Sequence, residues 1–393
     1  MKRFSPFILI AVLIAAYIYG HLVNQMDAAL VQKYYQQLLP EAARYEAIND
    51  RTAKAVGTDG AALAYLGVSS NVGYGGPVLV GTILNQDGSL QEVQILEHKE
   101  TPAYINKITK AGYFRQYEGK KGNDALTGGY DIDLVSGATL STRAIAKSVQ
   151  EASHTIVKAE LNQTPQSAKI PWQVGIKEIA VTALVVLTVL MPRFPKLRKY
   201  RLPVLGLSVA VLGFWLNRSL AMGHISALFM GYFPSPRENL IWYLLLAGAL
   251  VPALFSGKNL YCTYLCPFCG VQEGTHLLSR MNLPLGKYGR WLRVGKEIIL
   301  FLTLLLAFLF ANPSFSSFEP FGTIFGWNGT SYQWYLLFVI LLTSFFYRRF
   351  WCVALCPVGT FLDKAAQLGR KIKGVIGASA LKKEGKVELK GEG

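Results

Sequence analysis

The chain has 393 residues, of which 51% are hydrophobic. Its mean hydropathy of +0.28 excludes an ordinary soluble protein and indicates several membrane spans. Its 40 Lys and Arg against 24 Asp and Glu give a net charge of +16. These positive charges gather beside apolar runs and no nucleic-acid recognition motif occurs, so we expect a membrane protein that binds no nucleic acid. None of the five cysteines lies in residues 1–261, which excludes a secreted disulfide framework.

The N-terminus combines basic residues with an apolar segment. Lys2 and Arg3 precede an apolar run at residues 7–23, the pattern of a secretory signal peptide or of a membrane anchor. Because the run is long and no clear A-x-A site follows it, we expect an uncleaved anchor over residues 1–25, with its N-terminus in the cytoplasm. Residues 26–64 are polar and are expected to form a helix-prone connection to an exported domain.

Two β-strands are predicted around an Asp-Gly turn. Alternating runs at residues 78–84 and 90–96 flank Gln86-Asp87-Gly88, which is typical of a β-hairpin. A glycine-rich segment, Gly73–Pro77, precedes the first strand, and the sequence E-H-K-E-T-P at residues 97–102 follows the second.

A small-residue turn and a helix follow. The sequence D-I-D-L-V-S-G-A-T-L-S-T at residues 131–142 leads into apolar residues spaced for a helix, and Ser141 or Thr142 is the expected N-cap. A helix N-terminus binds phosphate well, and a hydroxyl there can also carry a phosphate ester. From spacing alone, an ordinary Ser/Thr-rich helix cap remains the alternative.

The segment S-G-A-T-L-S at residues 136–141 resembles the attachment motif of covalent FMN-binding domains, as in the C subunit of the sodium-pumping NADH:quinone reductase and the G subunit of the Rnf complex. The H-x-E-T-P segment at residues 98–102 resembles the one beside the flavin ring in those domains. The resemblance covers most of residues 65–155 and implies that a flavin transferase esterifies FMN to Ser141, with Thr142 as the fallback. The other FMN-binding residues that it implies are Tyr74, Glu100, Thr101, Pro102, Ser136, Gly137, Ala138 and Thr139.

Five further apolar segments follow a polar linker at residues 156–171. Several are about as long as a bilayer crossing of ~20 residues demands, and they lie near residues 173–191, 202–217, 239–256, 297–311 and 333–347. Basic residues gather in alternate loops and after the last segment, which places these loops and the C-terminus in the cytoplasm. With the anchor, the chain is predicted to span a bacterial plasma membrane six times, with an exported domain at 26–165, a membrane domain at 170–363 and a basic cytoplasmic tail at 364–393.

The cysteines belong to an internal repeat. A span followed by an aromatic residue and C-x-x-x-C-P occurs twice, ending at Pro267 and Pro357. Proline suits the first turn of a helix, so Cys266 and Cys356 are expected at helix N-termini, where the dipole lowers a thiol pKa. The expected ligands of an iron–sulfur cluster, [2Fe–2S] or [4Fe–4S], are Cys262, Cys266, Cys352 and Cys356.

Other readings of these cysteines remain open. A dithiol–disulfide relay, a structural zinc or inert thiols are the alternatives to a cluster. Cys269 is not expected to be a ligand, because its counterpart in the second repeat is Gly359.

The combination of an exported FMN domain, two C-x-x-x-C-P motifs and F-E-P-F at residues 318–321 resembles the NosR-type membrane flavoproteins. This family includes the electron-donor and maturation protein of nitrous-oxide respiration and the C proteins of reductive-dehalogenase operons. The resemblance covers nearly the whole chain. Larger members end in a soluble ferredoxin domain, whereas residues 364–393 lack cysteine, so the shorter dehalogenase-associated type matches better. This implies that electrons come from a cytoplasmic partner or from quinol.

We therefore expect an α-helical membrane protein with six spans plus an exported α+β FMN-binding domain. It would transfer electrons between a cytoplasmic-side cluster, or quinol, and an extracytoplasmic FMN that serves an exported reductase or other acceptor. The Cys loops are expected to re-enter the membrane. A redox sensor or assembly factor and a thiol–disulfide relay are the alternatives. His224 is a candidate for binding a quinone or haem, or an ordinary loop residue.

Overall fold

The computed structural model describes residues 6–388 except 25, 26, 101, 169–171, 173, 238, 280, 282, 284, 285, 287 and 328. The chain forms two compact units. The first unit comprises described residues of 1–171, 223–235 and 304–318, and the second unit comprises those of 172–222, 236–303 and 319–393.

The first unit is built on a five-stranded antiparallel sheet in the order β1-β2-β3-β4-β5. Helices α1 (Pro6–Val23) and α2 (Ala28–Leu38) precede the strands β1 (Arg44–Asn49), β2 (Thr52–Val56), β3 (Ala62–Val72), β4 (Pro77–Leu84) and β5 (Leu90–His98). The expectation of a helix-prone connection at residues 26–64 is right for α2 and wrong for β1 and β2. The cause is tertiary packing, because Ala53 and Ala55 of β2 are fully buried beneath α2 in the core.

Both faces of the sheet are covered. Alternate residues of β4 point in opposite directions, as a strand requires. Val78 and Val80 pack in the core that contains α4 (Thr139–Glu160), and Leu79 and Ile83 pack in the core that contains α2. The sheet is therefore a buried middle layer between two helices, which holds the loops at its ends in place.

The predicted hairpin is confirmed. β4 and β5 pair antiparallel with Leu84 opposite Leu90. Gly88 has φ of +83°, a left-handed conformation that glycine adopts without a steric cost. Asp87 accepts hydrogen bonds from the backbone N–H and hydroxyl of Ser89, at 2.9 and 2.6 Å, which closes the turn.

Helix α4 begins earlier than expected. Its first residue is Thr139 and its N-cap is Ala138, so the prediction of Ser141 or Thr142 as N-cap is wrong. The turn before it closes through a hydrogen bond from the Ala138 N–H to the Val135 carbonyl (2.9 Å), and Gly137 adopts φ of +77°. This left-handed glycine turns the chain directly into the helix without a side-chain cap. Helix α3 (Pro102–Lys110) and a 3₁₀ turn (Tyr113–Tyr117) lie between the sheet and α4.

The rest of the chain is helical. Its helices are α5 (Ile176–Leu190), α6 (Arg201–Ser208), α7 (Met222–Phe229), α8 (Leu240–Ser256), α9 (Pro267–Ser279), α10 (Tyr288–Leu309), α11 (Phe321–Gly326), α12 (Ser331–Phe346), α13 (Phe350–Ala354) and α14 (Pro357–Glu388). In the second unit α8 packs against α5 and α14, and α9 packs against α6 and α12.

The five apolar segments predicted as later spans each contain a helix: α5, α6 with its π-helical continuation Val209–Trp215, α8, α10 and α12. Over the described residues, no single helix combines the length and apolar character needed to cross a membrane. The bent pair α1 and α2 meets that test only when taken together, and α8 and α12 are shorter apolar helices. The six predicted spans are therefore not confirmed.

Candidate functional sites

Glu100 lies at the centre of a site in the first unit. Its side chain is buried, and its two carboxylate oxygens accept hydrogen bonds from the backbone N–H groups of Tyr74 (2.6 Å) and Gly75 (2.8 Å). A methyl group at Gly75 would lie 2.9 Å from Oε2, and one at Gly73 would overlap Oε1. The glycine-rich loop before β4 thus lets the backbone approach this carboxylate closely.

The three hydroxyls near the start of α4 differ in burial. Ser141 Oγ is fully buried and donates to Glu100 Oε1 at 2.7 Å. Thr142 Oγ1 is also buried and donates to the carbonyl of Ala138 at 3.0 Å. Thr139 is only half-buried. The structure therefore brings together Tyr74, Glu100 and Ser141, but it leaves Thr139 as the more accessible hydroxyl.

The N-terminus of α4 suits a phosphate group. Ser136 and Gly137 are exposed there, Ala138 provides no side-chain cap, and no acidic residue lies in the first turn. Lys107 of α3 points to the same turn, because a methyl group at Gly137 would lie 2.6 Å from its Nζ. Free N–H groups, the positive end of the helix dipole and an ammonium group together fit the FMN phosphate. Thr101 lies outside the described residues, and so does the side chain of Pro102.

Aromatic rings surround Tyr74. Its ring meets those of Tyr104 and His224 edge-on, each at 5.1 Å between centroids. His224 is buried and belongs to residues 223–235, which are part of the same compact unit as the sheet. It thus packs beside the Glu100 site, 150 residues away from Tyr74 in the sequence.

The second unit encloses a cavity of about 360 Å³ that is lined by all five cysteines of the chain. Cys262 lies in the π-helical turn Tyr261–Leu265, and Cys352 lies in α13. Cys266 and Cys356 directly precede α9 and α14, so their predicted positions at helix N-termini are confirmed. Two turns from different halves of the repeat therefore bring their thiols to one cavity.

Hydrogen bonds converge on the sulfur atoms. Gln272 Nε2 lies 3.2 Å from Cys352 Sγ, and the Gly359 N–H donates to Cys356 Sγ at 3.3 Å. The Cys269 thiol and N–H lower the pKa of Cys266 against the effect of burial, as predicted. Burial raises the pKa of Cys356 well above the usual thiol value, so the prediction of a lowered pKa is wrong there. Burial there disfavours the charged thiolate more than the helix dipole favours it.

Positive charge dominates the cavity lining. Arg293, Lys296 and Arg349 line it, with Asp363 as the acidic member. Behind them, Oε1 of the buried Glu273 contacts three guanidinium groups: Arg201 Nη2 at 2.7 Å, Arg348 Nη2 at 3.2 Å and Arg349 Nε at 2.6 Å. Four thiolates and an iron–sulfur core carry net negative charge, which this lining would offset.

Within the described residues, no three His, Cys, Asp or Glu side chains are arranged to hold a single metal ion. The thiolates of a [4Fe–4S] cluster bind separate irons, so they need not point to one ion. Four cysteine thiolates are a usual ligand set of such a cluster and also of a structural zinc.

Two protein families match the chain over these sites. An FMN-binding domain matches residues 73–154, which contain the Glu100 site. A 4Fe-4S binding domain matches residues 238–286 and 334–375, which contain all five cysteines. The chain is 28% identical over 282 residues to protein NirI of Paracoccus denitrificans, which covers 62% of the chain and 41% of NirI. It is 25% identical over 213 residues to regulatory protein NosR of Pseudomonas aeruginosa, covering 49% of the chain and 29% of NosR.

In both matched domains the chain is similar to the NosR-type flavoproteins. It spans less than half the length of NirI and of NosR. The chain is also 27% identical over 150 residues to the G subunit of a proton-translocating ferredoxin:NAD(+) oxidoreductase complex of Clostridium ljungdahlii, covering 36% of the chain and 80% of that protein. The two matched domains support FMN and an iron–sulfur cluster as its cofactors.

Sequence reasoning missed Lys107 and Arg349. It did not expect Cys269 to be a ligand, and the structure places this residue in the cysteine cavity. It considered His224 for a quinone or haem and not as a neighbour of Tyr74. A lysine, a histidine and an arginine carry no local signal of such a role, since only tertiary packing brings them to the sites. A local signal for the position of Cys269 in this cavity is its spacing of three residues after Cys266.

Proposed function

We propose that this protein carries electrons across a membrane, between a cluster held by the cysteines of the second unit and an FMN bound covalently by the first. The observation that supports this most directly is that one chain contains both matched domains, each with a buried polar site of suitable chemistry. FMN exchanges one or two electrons and a [4Fe–4S] cluster exchanges one, so together they can link one- and two-electron partners.

The residues of the first unit would bind and orient the flavin. Lys107 and the first N–H groups of α4 hold the phosphate. Glu100 fixes the loop of Tyr74 and Gly75 against α4 and so sets the wall of the site. We propose Thr139 rather than Ser141 as the hydroxyl that a flavin transferase esterifies. The reason is that Ser141 is fully buried and donates to Glu100, whereas Thr139 is half-exposed at the first position of α4.

The residues of the second unit would hold the cluster and tune it. The cysteine thiolates bind iron, and the Gly359 N–H and Gln272 amide donate to sulfur. Such hydrogen bonds and the nearby Arg349 stabilise added negative charge, so they favour the reduced cluster. The match to a 4Fe-4S binding domain favours [4Fe–4S] over [2Fe–2S] and over a thiol relay.

Exposed apolar side chains support a membrane location. Helices α1, α5 and α12 leave large apolar residues uncovered, including Phe7, Ile10, Leu22, Ile179, Val186, Phe338 and Val339. Such surface is costly in water and favourable in lipid. With the basic segments, it supports a multi-pass protein of the bacterial plasma membrane whose cysteines face the cytoplasm and whose FMN domain is exported. Electrons would then move outward, from a cytoplasmic donor or quinol to an extracytoplasmic acceptor.

Cofactor analysis of the purified full-length chain, produced with a flavin transferase, tests the attachment. We expect one covalent flavin per chain, detected as fluorescence that survives denaturing electrophoresis, together with iron and acid-labile sulfide. Thr139→Val should abolish covalent flavin and leave iron unchanged, whereas Ser141→Ala should keep both. Flavin lost only in Ser141→Ala would make Ser141 the attachment residue, and a wild-type chain without iron and sulfide would overturn the electron-transfer proposal.

Electron transfer itself is tested in sealed vesicles that contain the full chain in one orientation. A reductant enclosed on the cysteine side should reduce an impermeant acceptor on the flavin side. Cys266→Ser and Thr139→Val should each stop this reaction, because each removes one of the two cofactors. Equal rates in all three samples would contradict the proposal. The name regulatory protein NosR, which one relative carries, favours a redox sensor as the second candidate, and a sensor would not sustain this turnover.

A further inference from the structure

Two acidic residues occupy the same position in the two halves of the repeat. Glu273 lies seven residues after Cys266, and Asp363 lies seven residues after Cys356. The halves also share their local backbone geometry, because the N–H of each of these cysteines donates to the carbonyl of the residue five positions earlier, at 2.8 Å for Cys266 and 2.9 Å for Cys356. Glu273 of α9 and Asp363 of α14 are therefore equivalent in structure as well as in sequence.

Each carboxylate contacts the cysteine turn of the opposite half. Oε1 of Glu273 lies 2.6 Å from Nε of Arg349, which stands three residues before the first cysteine of the second motif. Oδ1 of Asp363 accepts a 2.9 Å hydrogen bond from the side-chain amide of Asn259, which stands three residues before the first cysteine of the first motif. Arg349 and Asn259 are thus also equivalent residues of the repeat. The helix after each motif holds the turn of the other motif.

Helix α9 contacts its turn at several points. Glu273 is 3% exposed, and neighbouring Gln272 accepts a hydrogen bond of 3.0 Å from the N–H of Trp351. The amide nitrogen of Gln272 also lies 3.2 Å from Cys352 Sγ. Arg349 has φ of +55°, a left-handed conformation that residues with a Cβ rarely adopt. The contacts of α9 on both sides of this residue therefore stabilise an unusual turn next to a thiol.

Helix α14 acts on its turn through an amide. Oδ1 of Asn259 accepts the N–H of Cys262 at 3.1 Å while its amide nitrogen donates to Asp363, so Asp363 orients the group that holds this cysteine. Oδ2 of Asp363 also lies 3.5 Å from Nζ of Lys296, which lines the cavity. The two contacts thus differ in charge, because Glu273 holds a guanidinium group and Asp363 holds a neutral amide.

We propose that Glu273 and Asp363 are positioning residues of the cluster site, each of which holds the cysteine turn of the opposite half. The two turns supply thiols to one cavity, so the distance between them must suit the cluster that they bind. A contact that joins the two halves fixes this distance, whereas a contact within one half does not. Glu273 has the additional role of keeping the charge of Arg349 at the cavity. The proposal rests on the proposed iron–sulfur centre.

The rate of iron release tests the positioning role. The full chain is purified with its cofactors, and wild type is first assayed for iron and acid-labile sulfide, whose absence would overturn the proposed function itself. With iron present, a chelator is added in excess. Glu273→Gln and Asp363→Ala should each lose iron about tenfold faster than wild type. Glu297→Gln removes an exposed carboxylate that pairs with Lys364 and should match wild type. A wild-type rate in Glu273→Gln or in Asp363→Ala would overturn the proposal for that residue.

A conservative variant covers the case in which Glu273→Gln is purified without a cluster. Glu273→Asp keeps the carboxylate on a side chain that is one methylene shorter, and it should retain iron and sulfide better than Glu273→Gln. Because the glutamine has the size of the native residue and the aspartate has its charge, equal loss in the two variants would overturn a role of the carboxylate.

The reduction potential separates positioning from a general loss of stability. The shift caused by Arg349→Gln is measured in the wild-type, Glu273→Gln and Asp363→Ala chains by potentiometric titration followed by electron paramagnetic resonance. In Glu273→Gln this shift should fall to about half or less, because the guanidinium group is no longer held at the cavity. In Asp363→Ala it should keep its full size, because Asp363 holds Asn259 instead. The same shift in all three chains would show that Glu273 does not position Arg349.

Discussion

The hydroxyl of Ser141 donates a 2.7 Å hydrogen bond to Oε1 of Glu100, which also accepts the N–H of Tyr74. One buried carboxylate thereby joins the first turn of α4 to the glycine-rich loop before β4. These two segments flank the phosphate site proposed at residues 136–139, so the carboxylate maintains the distance between the walls of that site.

We expect Glu100→Gln to weaken both stability and flavin attachment. The amide keeps the size of the side chain but replaces one acceptor oxygen with a donor, which would face an N–H or O–H group. An unsatisfied buried group of this kind costs about 1–3 kcal/mol. Thermal unfolding should therefore shift to lower temperature, with less covalent flavin per chain. The exposed Glu92→Gln is the matched control, and equal melting temperatures in the two variants would refute this role of Glu100.

Lys107 should be needed for efficient loading with FMN. Removing its charge with Lys107→Gln takes one cation from the turn at Gly137 and leaves only the helix N-terminus to hold phosphate. We expect covalent flavin to form several times more slowly. This corresponds to the loss of one such charge interaction, which contributes on the order of 0.3–1 kcal/mol. Lys110→Gln, exposed on the same helix, should load at the wild-type rate. Identical loading of both variants would exclude a phosphate contact by Lys107.

The parts of the fold that carry local signals were predictable. The β4–β5 hairpin follows from its alternating runs and the Asp-Gly turn, and the positions of Cys266 and Cys356 follow from the prolines after them. Strands β1 and β2 were not predictable, because β1 is mostly exposed and the burial of Ala53 and Ala55 in β2 depends on packing with α2. The start of α4 was misplaced because its N-cap is an alanine, which leaves no sequence signal.

The presence or absence of a local sequence signal also explains which site residues were predicted and which were missed. Glu100 and the small-residue turn are contiguous motifs, so their resemblance to a known family identified them. Lys107 and Arg349 are not part of these motifs and contribute only their charge. Glu273 contacts its three arginines only in the folded unit. Cys269 lies in the cysteine cavity although its counterpart in the second repeat is Gly359, so repeat symmetry alone did not predict its position.

Arg349 should raise the reduction potential of the cluster. Its guanidinium lines the cysteine cavity, where its positive charge would stabilise the electron that a bound cluster gains. Arg349→Gln should therefore lower the midpoint potential, on the order of 50 mV for one partly screened charge. Arg348→Gln is the control, because Arg348 also contacts Glu273 but is 56% exposed. Potentiometric titration followed by electron paramagnetic resonance should give a clearly smaller shift for the control, and Arg349→Lys should retain most of the wild-type potential.

Glu319 should make stability depend on pH. Burial raises its pKa to about 7 from 4.5, although the Met222 N–H donates to Oε1 at 2.7 Å. Among the described residues, no hydrogen-bond donor reaches Oε2. The folded chain thus holds this proton more tightly than the unfolded chain. The contribution of Glu319 to the free energy of unfolding is fully present below pH 4.5. It decreases by about 3 kcal/mol as the pH rises to about 7.

Thermal unfolding of the full chain in detergent, measured from pH 5 to pH 8, tests this dependence. Wild type should lose melting temperature progressively over that range, and Glu319→Gln should lose much less, because the amide does not titrate. Glu297→Gln removes an exposed carboxyl and should follow wild type. Parallel curves for wild type and Glu319→Gln would mean that Glu319 is ionised at every pH tested, and that its buried carboxylate has a donor not present among the described contacts.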